Sequence, residues 1–201
     1  MFPRSLCYLG FAIFLAACST ESTRGAADGA ATGAVVGAVG GMVTALVFGG
    51  DVGDAAARGA VWGGSTGAVA GGMRGAEQAR RNEAAAQQKQ AAAFDKLRRD
   101  IGDDAFRGLE ALAECRHKVA IAYAESAQQS TKQDFVLAGY WLEIMAVAED
   151  SGEDAAVAML PDLVARDPKL TSTGQARTLV GEAMDDLEQV RADYGMSKTC
   201  S

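Results

Sequence analysis

Glycine recurs at every fourth position as Gly25, Gly29, Gly33, Gly37 and Gly41. After a break at Gly49-Gly50-Asp51 the interval returns as Gly59, Gly63, Gly67, Gly71 and Gly75. A step of four residues turns about 40° round an α-helix, so each run draws a smooth stripe along one face. Glycine in a helix interior costs roughly 1 kcal/mol relative to alanine. Ten such losses exclude an isolated solvated helix. The stripes are favourable where two helix backbones must approach closely, as at small-xxx-small interfaces between membrane helices. A flexible Gly/Ala tether needs glycine but no register, so the strict phase argues against one.

The polar content fits two membrane-associated helices. No charge interrupts Gly29 to Gly50, a stretch long enough for a hydrocarbon core. The second uncharged stretch, Gly59 to Met73, is shorter, and Arg58 and Arg74 can snorkel at its ends. Residues 49–54 then form the turn, with Asp54 the expected N-cap of the second helix. The Val, Leu and Met side chains, Phe48 and Trp62 are expected to face lipid opposite the glycine seam. Ala, Gly and Thr make both spans only weakly hydrophobic, since insertion rewards Leu, Ile, Phe and Val. With this double run of G-x-x-x-G, residues 25–75 resemble the glycine-zipper hairpins of bacterial outer-membrane lipoproteins. The resemblance implies a membrane-embedded hairpin that self-associates into a homo-oligomer. It supplies no catalytic or ligand-binding residue.

Residues 1–17 read as a secretory leader, with Arg4 in a basic n-region and a short apolar core from Leu6 to Phe14. The leader closes on Leu15-Ala16-Ala17-Cys18, which resembles the lipobox of bacterial lipoproteins. That resemblance implies lipidation of Cys18, the first residue of the mature chain, followed by an acylated linker over 18–24. Ser19, standing where Asp would favour inner-membrane retention, implies transport to the outer membrane, facing the periplasm. Cys7 leaves with the leader. Cys115 and Cys200 remain in an oxidising compartment, where a disulfide is favoured over two free thiols too far apart to bridge. Closing that loop contributes on the order of 4 kcal/mol by restricting the unfolded chain.

Charge divides the remainder. Residues 76–99 hold 6 basic and 3 acidic side chains, whereas residues 100–201 hold 9 basic and 19 acidic ones. The Ala/Gln/Lys/Arg/Glu-rich segment 76–100 is expected to be a helical stalk, its basic excess meeting anionic head groups or simply forming a solvated face. Residues 101–201 read as a small α-helical domain. Asp103 or Asp104 is expected to cap a helix carrying Phe106 through Tyr123, and Thr131 to open the helix from Phe135 to Asp150 as a capping box. Pro161 is expected to interrupt the next helix, Asp167-Pro168 to end it, and Ser172 or Thr173 to start the last. The fold class is all-α throughout.

Catalytic patterns are sparse. His117, the one histidine, stands between Arg116 and Lys118 and reads as a surface or partly buried residue. The acidic pairs fall at helix ends and solvated faces, where capping and solubility explain them without a metal. No phosphate loop or dinucleotide fingerprint is present. A net charge of −7 argues against nucleic acid as partner. The expectation is a non-enzymatic envelope lipoprotein without cofactor or metal. Its partners would be membrane lipid, further copies of itself and an unidentified periplasmic protein, in a structural or envelope-integrity role. The alternative is an oligomeric pore or the membrane part of an export assembly, for which Thr32, Thr44, Ser65 and Thr66 offer the only polar lumen.

Overall fold

The computed structural model describes residues 18–64 and 76–200, with side-chain surroundings for 29–64 and 84–200. Among these it contains eight helices and no strand: α1 (Cys18–Phe48), α2 (Val52–Gly64), α3 (Ala76–Ile101), α4 (Asp103–Ala113), α5 (His117–Gln128), α6 (Gln133–Ser151), α7 (Glu153–Arg166) and α8 (Thr173–Asp193). The segment 1–17 expected as a leader, and Gly67, Gly71 and Gly75, lie outside the described residues. Helix α1 takes in residues 18–24, so the segment expected as a linker is helical.

Helices α1 and α2 form an antiparallel hairpin. The α1 helix ends at Phe48, and the next residue, Gly49, has a φ of 87° in the region that glycine adopts without steric cost. Asp51 then caps α2, its Oδ1 accepting from the Asp54 amide at 2.7 Å. The cap is therefore Asp51 and not Asp54, because α2 starts earlier than the glycine run implies.

The other face of α1 differs from expectation. Val35, Val39, Met42, Val43 and Leu46 are buried, and α1 packs against α4, α6 and α8 as well as α2. These side chains meet protein where lipid was expected. The glycine seam on one side and the apolar stripe on the other place α1 inside a core it shares with the later helices. Burying five such side chains contributes on the order of 10 kcal/mol before chain entropy is counted. That exceeds the helix-propensity cost of the described seam glycines. Lys169 tightens the end of α1 by donating its Nζ to the Val47 carbonyl, a cation at the negative pole of the helix.

Helix α3 is exposed along much of its length, as a stalk would be. Its C-terminal turns fold back: Phe94 packs edge-on to Phe106 at 5.7 Å, and Leu97 fills the space beside Gly40. The remaining helices close round Trp141, Leu142, Ile144 and Met145 of α6. Gly139 lets α6 approach the Ala124 carbonyl of α5, repeating the logic of the zipper with a single glycine.

Several local expectations are corrected. The helix expected through Tyr123 breaks between α4 and α5 at Cys115, whose φ is 58°. Gly102 precedes α4 without a side-chain cap, and Lys132 stands where Thr131 was expected to cap α6. Helix α7 runs through Pro161, which sits on its exposed side, where water can satisfy the carbonyl that loses its amide partner. Ser172 does cap α8, accepting from the Gln175 amide at 3.1 Å.

The seam makes a differential prediction. A β-carbon on Gly59 would overlap the Gly37 carbonyl, whereas one on Gly29 meets nothing. Gly59→Ala should cost about 1–3 kcal/mol, as overpacking does. Gly29→Ala should be neutral or stabilising by up to about 1 kcal/mol. Paired thermal melts measure both.

Candidate functional site

The glycine seam is built by reciprocal backbone contacts. β-Carbons added at Gly37 and Gly59 would each strike the other residue's carbonyl oxygen, and Gly33 and Gly63 are related in the same way. Gly41 sits against the Ala55 carbonyl. The two runs therefore meet in opposite directions, glycine to glycine, within one chain. From the stalk, Gln90 donates its side-chain amide to the Gly63 carbonyl, so α3 is fastened to the seam. Gly25 lies in α1 beyond the described surroundings.

Beside the seam, α1, α2 and α3 enclose a groove of about 320 Å³. Its walls include Gly40, Gly41, Phe48, Trp62, Phe94 and Leu97, with Arg58 and Asp51 among the polar groups. Phe48 and Trp62 are each 48% exposed. Thr44, offered above to a pore lumen, turns its hydroxyl to the Gly40 carbonyl at 2.7 Å.

Away from the groove, four elements converge on one buried carboxylate. Arg191 of α8, fully buried, holds Glu149 of α6 with both Nη atoms, the Nη2–Oε2 contact being 3.1 Å. His117, at the first turn of α5, places Nε2 3.1 Å from the same Oε2. Cys115 and Cys200, expected as a pair, stand joined as a disulfide with Cα atoms 5.5 Å apart. The Cys200 Sγ is 3.8 Å from Glu149 Oε2. His117, expected as a surface or partly buried residue, is partly buried, with 11% of its side chain exposed, and belongs to a network that the sequence did not indicate. Nothing local announces the partnership, since Glu149 and Arg191 lie on distant helices.

Helices α2 and α8 meet across a second charged locus. The Tyr194 hydroxyl donates to the Ala60 carbonyl at 3.1 Å, while the Asp186 carboxylate reaches the first turn of α2 beside Gly53. Burial, and then Asp51, Glu182 and Asp185, raise the Asp186 pKa above the ordinary carboxylate range. The folded state therefore holds the Asp186 proton more tightly than the unfolded chain does, and ionisation opposes folding. The penalty is absent below the ordinary pKa of 3.8 and complete above the raised folded value. Asp186→Asn should accordingly raise the melting temperature at neutral pH, with the gain disappearing as pH falls below the carboxylate range. Melts of both proteins across that pH interval measure it.

Residues 2–79 match the family model of the YMGG-like Gly-zipper. The match takes in most of the segment expected as a leader, both glycine runs and the start of α3. No curated protein and no solved structure matches the chain. Among the described residues one helix segment, Gly29–Phe48, is long and apolar enough to cross a membrane, and 78% of its most apolar window is buried within the protein.

Proposed function

We propose that this chain is a non-catalytic lipoprotein of the bacterial envelope, anchored through an acylated Cys18 and facing the periplasm from the outer membrane. The Gly-zipper match and the apolar helix α1 both point to association with a membrane. The observation that carries the particular reading is the burial of α1. Among its described side chains, the glycine face from Gly33 to Gly41 is filled by α2 and the Val/Met/Leu face by α4, α6 and α8, so little of that stretch is left for lipid. The lipid on Cys18 is then the anchor, and the zipper is the spine of the domain being anchored. Two or more acyl chains suffice to hold a folded domain at a membrane without a transmembrane segment.

The role that follows is structural. The domain presents a rigid helical body to a protein partner in the envelope and contributes to envelope integrity. Its rigidity comes from a backbone-to-backbone seam and a C-terminal staple. Gly33 and Gly63, and Gly37 and Gly59, are occupied by one another and Gly41 by Ala55, so self-association through these five requires the hairpin to open, whereas Gly29 stands open. The proposal does not depend on it.

Alkaline extraction of washed membranes tests the anchor. Wild-type protein should stay with the membrane, and Cys18→Ala should move to the supernatant as a folded domain. Retention of the unacylated protein would contradict the proposal. It would favour a transmembrane hairpin, the reading that the length of Gly29–Phe48 supports.

A further inference from the structure

We propose that the Cys115–Cys200 staple has a second form, in which both cysteines, His117 and Glu149 hold a zinc ion once the disulfide is reduced. The inference is independent of how the chain is anchored.

Four groups of the right chemistry already stand together. The donor atoms of His117, Glu149 and Cys200 all lie within 4.8 Å of one another, and Cys115 is bonded to the last of them. Two thiolates, an imidazole and a carboxylate form a closed four-ligand set suited to zinc. The spacings fit as well. Zinc bonds of about 2.0 Å to nitrogen and oxygen and about 2.3 Å to sulfur give tetrahedral edges of about 3.3 Å for N···O and about 3.5 Å for S···O. The corresponding separations are 3.1 Å from His117 Nε2 to Glu149 Oε2 and 3.8 Å from Cys200 Sγ to that oxygen. Cys115, which is bonded to Cys200 but is not one of the three mutually close donors, must leave that sulfur and move into the fourth position, and reduction releases it to do so.

The surroundings favour the exchange. Asp150 Oδ1 lies 3.8 Å from His117 Nδ1, on the side where a carboxylate orients a zinc-bound imidazole. Arg191 does not oppose the cation. Zn²⁺ with two thiolates and one carboxylate carries a net charge of −1, and the buried guanidinium brings the assembly to neutrality. In the oxidised form the Glu149 carboxylate and Arg191 already cancel. Neither form leaves net charge buried, which is the condition for holding ions in a low-dielectric interior.

The chemistry balances with a dithiol as reductant. Its thiolate attacks one sulfur of the Cys115–Cys200 bond, and the mixed disulfide resolves to an oxidised reductant and two protein thiols, a transfer of two electrons and two protons. Zinc then binds both sulfurs as thiolates and releases two protons. The C-terminal segment thereby stays fastened to α4, α5 and α6 in either redox state.

The test uses the mature chain, oxidised or reduced by a phosphine that does not bind metal, titrated with Zn²⁺ against a chromophoric chelator. The reduced wild type should take up one equivalent about 100-fold more tightly than the oxidised protein, and His117→Gln should lose most of that gain. Co²⁺ in place of zinc should show thiolate-to-metal charge-transfer absorption in the reduced wild type alone. Zinc should raise the melting temperature of the reduced wild type, or restore its helical fold where reduction has unfolded it, and should do neither for His117→Gln. Equal zinc binding by oxidised and reduced chains would overturn the proposal. So would wild-type affinity in His117→Gln, absence of the cobalt–thiolate band, or failure of zinc to stabilise the reduced protein.

Discussion

Gly37 and Gly59 press backbone against backbone, and the rest of the molecule is arranged round that contact. No side chain can stand at either position without striking the opposite carbonyl. Glycine is a poor helix former, so such a seam persists only where something else holds both helices straight. Here the apolar face of α1 supplies that support by burying valine, methionine and leucine under α4, α6 and α8. Close approach on one side and deep burial on the other are two halves of a single solution. Removing either would leave α1 without a reason to be helical in water.

From this follows a functional logic that differs from that of a simple membrane hairpin. An uncharged stretch of the length of Gly29–Phe48 satisfies a bilayer and a protein core equally well, because both reward the same side chains. What separates the two cases is whether other helices offer a matching surface, and α4, α6 and α8 do. The attachments reinforce the domain reading: Gln90 reaches from the stalk to the seam, Lys169 reaches the end of α1, and Tyr194 reaches α2. These are polar clamps onto one hairpin from three separate places, α3, the α7–α8 connection and the end of α8.

Much of the zipper was legible in the sequence because it repeats. The register of Gly33, Gly37 and Gly41 against Gly59 and Gly63 announces a stripe, and a stripe demands a partner backbone. The all-helical class was equally plain, as was a helix start at Ser172 or Thr173, of which Ser172 is the cap. The burial of Val35, Val39 and Met42 by protein was not legible, since no local pattern distinguishes a lipid-facing valine from a core valine. Nor was the break at Cys115, where a non-glycine residue with positive φ divides α4 from α5. Gly108 and Gly139 make close contacts as single glycines and so lack the periodicity that marks the zipper. The network of His117, Glu149 and Arg191 was invisible for another reason. It joins the starts and ends of helices far apart in the chain, and each residue taken alone resembles a solvated charge.

Hydrogen exchange under native conditions on the unacylated, lipid-free mature chain tests most directly whether α1 is a core helix. Helices opening as one cooperative unit share a common opening free energy, whereas independent parts exchange separately. If α1 is a core helix, amides of residues 30–47 are as protected as those of α4 and α6 without any lipid, and all three lose protection together as denaturant is raised. Rapid exchange through residues 30–47 while α4 and α6 stay protected would contradict a core α1, and would return the hairpin to the membrane.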